Sequence, residues 1–382
     1  MLCCRWPLTE PALAAIGQNA DGVDFGRVVR IVDRHRVQGL VHNALRAARV
    51  TLPAEIEAGL AARAQRIALR GLAMAAESSR LAGLAAQAGI DVVILKGAAL
   101  AQLAYGTVAL KQACDIDLAV APENLARARA LLAASGYAAQ TLVVAKDEPW
   151  MNPQRQILVE LHTKLVDHSA WLSGVGVGRP IDNVAIGETY AVPTLDPDRL
   201  FAYLCVHGAV HGWSRLKWLA DFSALVAQMP AAEVTRRYET AGTWGARRCA
   251  GQALVLSADL FGTRLEPRLE ARLRRDGISR WLVANAYRSF VGANETEELD
   301  ARVLSTVRIH LAQLVFTPGW RNRAALLAGK LRARQPDGEL ASDPIGAWPI
   351  EAGRWLRRRF RRAAAVPSFV ADADGPAVTE RD

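Results

Sequence analysis

At 382 residues, 51% of them hydrophobic, the chain has room for about two or three packed domains and is too apolar for a disordered class. Its formal charge of +9 is local: residues 319–363 hold eleven lysines and arginines against four acids, leaving the remainder near neutral. The pI of 9.7 is therefore mainly a property of one C-terminal stretch and says little about partners of the rest.

Cys3, Cys4, Cys114, Cys205 and Cys249 make neither a metal-ligand spacing nor an even framework, which points to a reducing compartment. No apolar leader followed by a cleavage site precedes the first helices, and no run reaches the roughly 18 apolar residues of a membrane span. A cytoplasmic, soluble protein is the expectation.

Residues 1–88 read as a helical N-terminal segment. Thr9 offers a cap ahead of Pro11, and Val37, Leu40, Val41, Ala44 and Leu45 recur at helical spacing. Leu52-Pro53 opens a longer helix through Ile67, Leu69, Leu72 and Leu81. His35 and His42, seven apart, are expected on one face of one helix, as ordinary half-buried side chains rather than a metal pair.

The character changes at Asp91. The stretch DVVILKGAALAQLAYGTVALKQACDIDLAV reads as a strand, a Lys96-Gly97 step, a helix, a loop and a second strand. That second strand carries Asp115 and Asp117. Strand residues i and i+2 share a face, so the two carboxylates point the same way, about 7 Å apart along the backbone. Adjacent acids repel, and a hard divalent cation with oxygen ligands relieves the repulsion. A helix over 125–135 ends at Gly136, a strand is expected over Tyr137–Ala145, and another over Gln156–His162. The latter sets Glu160 among apolar residues, where an unpaired acid is costly. LSGVGVGRP at 172–180 lacks the Gly-Lys-Ser/Thr ending of a phosphate loop and reads as a connector.

Residues 191–318 return to helix, opened by Asp196-Pro197. His207 and His211 lie four apart, but no Glu follows the first in the metalloprotease manner. Trp213 and Trp218 are expected in the core. From 319 to 366 a basic amphipathic tail has clusters around Arg321–Arg334 and Arg354–Arg362; its basic face suits anionic lipid, nucleic acid or an acidic partner. Residues 367–382 read as disordered.

The order Leu95-Lys96-Gly97, Asp115-Ile116-Asp117-Leu118, Gly136-Tyr137 and Val159-Glu160-Leu161-His162 resembles the uncharacterised bacterial nucleotidyltransferases of the polymerase-beta-like superfamily. The likeness continues through Leu204–His207, His211-Gly212-Trp213 and Leu216–Asp221, and covers residues 80–230 best. Four departures stand out: Ala98 follows Gly97 where Ser or Gly is usual, the gap to Asp115 is long, Lys111 replaces an expected Arg, and Glu160 fills a position often held by Asp.

The resemblance implies an α-rich α+β fold, with a small mixed catalytic sheet at 89–190 between the N-terminal helices and a C-terminal helical domain. It implies transfer of a nucleoside monophosphate from an NTP to an unidentified acceptor, with Mg²⁺ or Mn²⁺ held by Asp115, Asp117 and Glu160. Lys96, Gly97 and Lys111 fall to the phosphates, and His162, His207 and Asp221 to an acceptor pocket. Two other classes remain: a non-catalytic, antitoxin-like protein that keeps the fold to bind a nucleotide or partner, and an Asp-x-Asp glycosyltransferase. The last expects a long α/β region before the motif, where this chain reads as helix.

Overall fold

The computed structural model describes residues 1–140, 148–178, 181–290 and 303–332. Before the sheet come α1 (Glu10–Gln18), α2 (Phe25–His35), α3 (Gln38–Ala47) and α4 (Ala54–Gln87). Asp24 caps α2, its carboxylate accepting from the Arg27 amide. Val37, Leu40, Val41, Ala44 and Leu45 are all buried, as their spacing predicts.

The expected helix through Ile67, Leu69, Leu72 and Leu81 is present as α4, and one expectation for this region is corrected. Arg36 adopts a left-handed conformation at φ 54 and ends α2, so His35 and His42 lie on different helices. In α4 the buried stripe is Leu60, Ile67, Met74 and Leu81, seven apart; Leu69 and Leu72 fall off that stripe and face solvent.

A five-stranded sheet follows: β1 (Val92–Ile94), β2 (Asp115–Val120), β3 (Ala138–Ala139), β4 (Glu148–Asn152) and β5 (Ile157–His162), in the order β1-β2-β5-β4-β3. Only β2 and β5 pair in parallel. The strand expected at Tyr137–Ala145 is in the described residues only the two-residue β3, and residues 141–147 lie outside them. Its partner β4 was not foreseen, because Pro149 and the lone Trp150 break the alternation that marks a strand.

Period-two alternation gives the sheet two faces. Ile116, Leu118 and Val120, with Ile157, Val159 and Leu161, pack into one apolar cluster with Met74, Leu81 and Ala85 of α4. That cluster also takes Ala128 and Leu132 of α6 (Leu125–Ala134), and Val184, Ile186 and Val192 of a hairpin, β6 (Ile181–Ile186) and β7 (Tyr190–Leu195). The intervening residues Asp115, Asp117, Glu160 and His162 have the opposite parity and face away from it.

Beyond β7, Asp196 caps α7 (Pro197–Val210), accepting from the Asp198 and Arg199 amides. Then come α8 (Leu216–Val226), α9 (Ala231–Thr243), α10 (Arg247–Phe261), α11 (Pro267–Arg275), α12 (Gly277–Phe290), α13 (Val303–Phe316) and α14 (Trp320–Arg332). These helices and α1–α3 share a second apolar cluster, which runs from Leu40 and Leu45 through Phe201 and Phe222 to Phe316. The sheet touches it through Val93, Leu95 and Ala119. Trp213 is fully buried. Arg354–Arg362 and the rest of the tail after 332 lie outside the described residues. No described helix is long and apolar enough to cross a membrane.

Candidate active site

The strand β1 ends at Ile94, Leu95 follows, and the chain turns at Lys96 and Gly97 into α5 (Gly97–Tyr105). Gly97 has φ 62, in the left-handed region, and a Cβ there would meet nothing within 4 Å. Open space and a helix start with unpaired amides make this a place where an anion can approach backbone closely. Gly106, also left-handed, closes α5, and the chain loops back to β2.

That loop is held by two glycines on the N-terminal helices. A Cβ on Gly39 of α3 would lie 2.5 Å from the Leu110 carbonyl oxygen, and one on Gly71 of α4 would lie 2.3 Å from that of Val108. Helix backbone therefore comes against loop backbone at both points. The seating fixes where Lys111, Gln112 and Cys114 stand.

Parallel pairing places Asp117 directly opposite Glu160 on β5. His162, two residues on, shares the Glu160 face, and ligand atoms of Asp117, Glu160 and His162 all lie within 4.8 Å of one another. Asp117 is 4% exposed. Its Oδ1 is 3.1 Å from Lys96 Nζ and 3.4 Å from His162 Nε2. Burial alone would raise the Asp117 carboxyl, but Lys96 and His162 outweigh it and hold the group well below the usual range. Glu160 is shifted the other way: burial raises it, and the fields of Asp115 and Asp117 add to the rise. Two carboxylates of one site thus differ in their hold on a proton.

Asp115 lies outside that trio, one strand step away, and lines a small cleft open to solvent, with Asp117 between the two. The sheet side of the cleft is Lys96, Gly97, Asp115 and Asp117; the loop supplies Lys111, Gln112 and Cys114; the helices supply His207, Lys217, Trp218 and Asp221. Lys111 is itself buried, its Nζ 3.0 Å from Asp221 Oδ2, while the Tyr105 hydroxyl donates to Asp221 Oδ1 at 2.8 Å. Asp221 therefore ties α8 to α5 and to the loop. His207 makes an edge contact with Trp218, which stacks on His211.

Of the nine residues singled out in the sequence, seven line the cleft, and Glu160 and His162 adjoin it through Asp117. Lys217 and Trp218 were missed as cleft residues. The signal was a lone cation within the apolar run Leu216–Leu219, and a Trp beside it that reads as core.

A family model described as an uncharacterised nucleotidyltransferase matches residues 21–262. The chain belongs to that family. No curated protein and no solved structure matches it. The match to the uncharacterised nucleotidyltransferase family begins in the N-terminal helices, earlier than the motifs alone suggest, and takes in β1 to β7 with α7 to α10. Every cleft residue falls inside it. The early start accords with the part played by Gly39 and Gly71 in seating the loop.

Proposed function

We propose that this cleft performs metal-dependent transfer of a nucleoside monophosphate from an NTP to an acceptor hydroxyl. The observation that carries the reading is the register of β2 against β5. It puts Glu160 opposite Asp117, with Asp115 on the same face and the Lys96-Gly97 helix start beside them.

The donor set suits a divalent cation. Asp115, Asp117 and Glu160 offer oxygens, and a carboxylate as buried as Asp117 needs a positive partner. His162 adds an imidazole nitrogen, which favours Mn²⁺ over Mg²⁺ in the trio. When bound, such an ion neutralises charge on the triphosphate and the departing pyrophosphate.

The chain's own groups do the rest by position. Gly97 and the α5 amides receive phosphate oxygens, and Lys96, released from Asp117, adds a cation to them. Glu160, opposite Asp117, takes the proton from the acceptor hydroxyl as its oxygen bonds to the α-phosphorus. The bond from that phosphorus to the β-phosphate bridge breaks, and pyrophosphate leaves. No covalent intermediate is needed, since this chemistry rests on placement and charge. The glycosyltransferase reading lacks support, because only helices precede β1 among the described residues.

Calorimetric titration of each NTP with Mg²⁺ or Mn²⁺ tests the reading, comparing the wild type with an Asp115→Asn/Asp117→Asn variant checked by circular dichroism. Metal-dependent binding that the folded variant loses is the expected result. Equal binding by both proteins, or none by the wild type with any NTP, would turn the reading to a non-catalytic binder.

A further inference from the structure

The cleft holds three lysines, and their charges are not equally compensated. Lys96 is paired with Asp117 and Lys111 with Asp221. Lys217, at the start of α8, makes no ion pair among the described residues; its ammonium lies 6.0 Å from the centre of the Trp218 ring, a weak contact at best. Enclosure in the cleft wall, and next the charge of Lys111, push its pKa down to about 8. Beside it on α7, His207 buries an Nε2 that has no hydrogen-bond partner. Burial, followed by the charges of Lys96, His211, Lys217 and Lys111, drives that imidazole well below its usual range.

A cation without an ion-pair partner next to an unsatisfied ring nitrogen costs free energy. Both groups line the same open cleft as Asp115 and Gly97. From this juxtaposition we infer that Lys217 and His207 form an anion subsite on the helical wall, shaped for a phosphate group other than the one at the α5 helix start. The inference rests on the proposed nucleotide chemistry only for its source: the phosphate belongs either to the end of the donor's triphosphate or to a phosphorylated acceptor. Lys217 supplies the charge, and His207 Nε2 donates a hydrogen bond once the anion draws a proton or the matching tautomer onto it. Neither group touches Asp117 or Glu160, so the subsite acts without the metal.

The test is calorimetric binding of inorganic pyrophosphate and inorganic phosphate to the full chain in EDTA, which removes the carboxylate centre from the measurement. The wild type binds pyrophosphate; Lys217→Met weakens that binding by about tenfold or more, the size of one charge-assisted hydrogen bond, and Lys217→Arg retains most of it. His207→Ala weakens it less. Removing a cation without an ion-pair partner leaves the thermal midpoint unchanged or higher, so loss of binding together with loss of stability would make Lys217 a structural residue and overturn the proposal. A folded wild type that binds neither anion, or a Lys217→Met protein that binds them equally well, overturns it too. A second arm names the source: if Lys217→Met also weakens metal–NTP binding, the phosphate is the donor's, and if NTP binding is kept, it is the acceptor's. The Asp115→Asn/Asp117→Asn protein keeps its pyrophosphate site in EDTA even if it loses NTP, so failure of the nucleotidyl-transfer reading and failure of the subsite give different results.

Discussion

Lys96 Nζ and His162 Nε2 converge on one oxygen of Asp117, at 3.1 and 3.4 Å. A deeply buried site acid is thus compensated by the chain's own side chains. Removing one partner of such a pair is costlier than removing both, because the survivor is left buried and uncompensated. Lys96→Met is therefore expected to lose about 3–5 kcal/mol in urea denaturation, and Lys96→Met/Asp117→Asn clearly less. Millimolar Mn²⁺ should raise the thermal midpoint of Lys96→Met by more than that of the wild type. A Lys96→Met protein as stable as the wild type would show that this pair is not compensating anything.

A second pair has an architectural part. Asp221 accepts from Tyr105 and faces Lys111, joining α8, α5 and the loop before β2. Asp221→Asn should cost on the order of 3 kcal/mol by stranding the Lys111 charge, and Tyr105→Phe about 1–2 kcal/mol by leaving one lone pair unmet. A double-mutant cycle between Lys111→Met and Asp221→Asn reads the coupling directly. Coupling within about 0.5 kcal/mol of zero would mean that the pair is not formed in solution.

The glycines that seat the loop predict opposite outcomes within one helix. Gly71→Ala drives a methyl into the Val108 carbonyl, whereas Gly83 has nothing within 4 Å of its missing Cβ. Gly71→Ala is expected to destabilise by about 1–3 kcal/mol and to weaken NTP binding, because the displaced loop carries Lys111. Gly83→Ala should stabilise by about 0.5–1 kcal/mol, from the helix preference of alanine, with binding unchanged. If both substitutions shift stability alike, contact between α4 and the loop is not the determining factor.

His35 links pH to the same architecture. Its Nδ1 accepts from the Leu216 amide at 3.1 Å, which secures the first turn of α8 just ahead of Lys217. Burial, helped by Arg34, pushes its pKa from 6.5 down to about 4, so the folded protein holds it neutral. The unfolded chain takes up the proton first as pH falls. This stability is fully present above about pH 6.5 and is lost between there and pH 4, with about 2 kcal/mol gone by pH 5. Urea midpoints of wild type and His35→Gln at pH 7.5 and 5 should show the steeper loss in the wild type. Parallel losses would place the titrating group elsewhere.

Much of the sheet's logic is written in short stretches of the chain. Alternation in Asp115–Val120 and Ile157–His162 decides which residues are apolar and which acid, because a strand must bury one parity against α4 and α6. Lys96-Gly97 after an apolar run marks a strand end and helix start on local grounds alone, and Asp196-Pro197 marks the start of α7. The break between α2 and α3 was not legible, since nothing local distinguishes Arg36 as a left-handed residue. The short β3 and β4 were hidden for a related reason: their pairing depends on the sheet already present.

The site divides along the same line. Its residue types were visible, but their partners were not. That Lys96 rests on Asp117, that Lys111 is spent on Asp221 and that Lys217 is left over are facts about distance between segments 21 residues apart in the first pair and 110 in the second. Pairing of charges is a through-space property, set when the second apolar cluster docks α7 and α8 against the open face of the sheet. Chain order carries no term for it; the packed cores do.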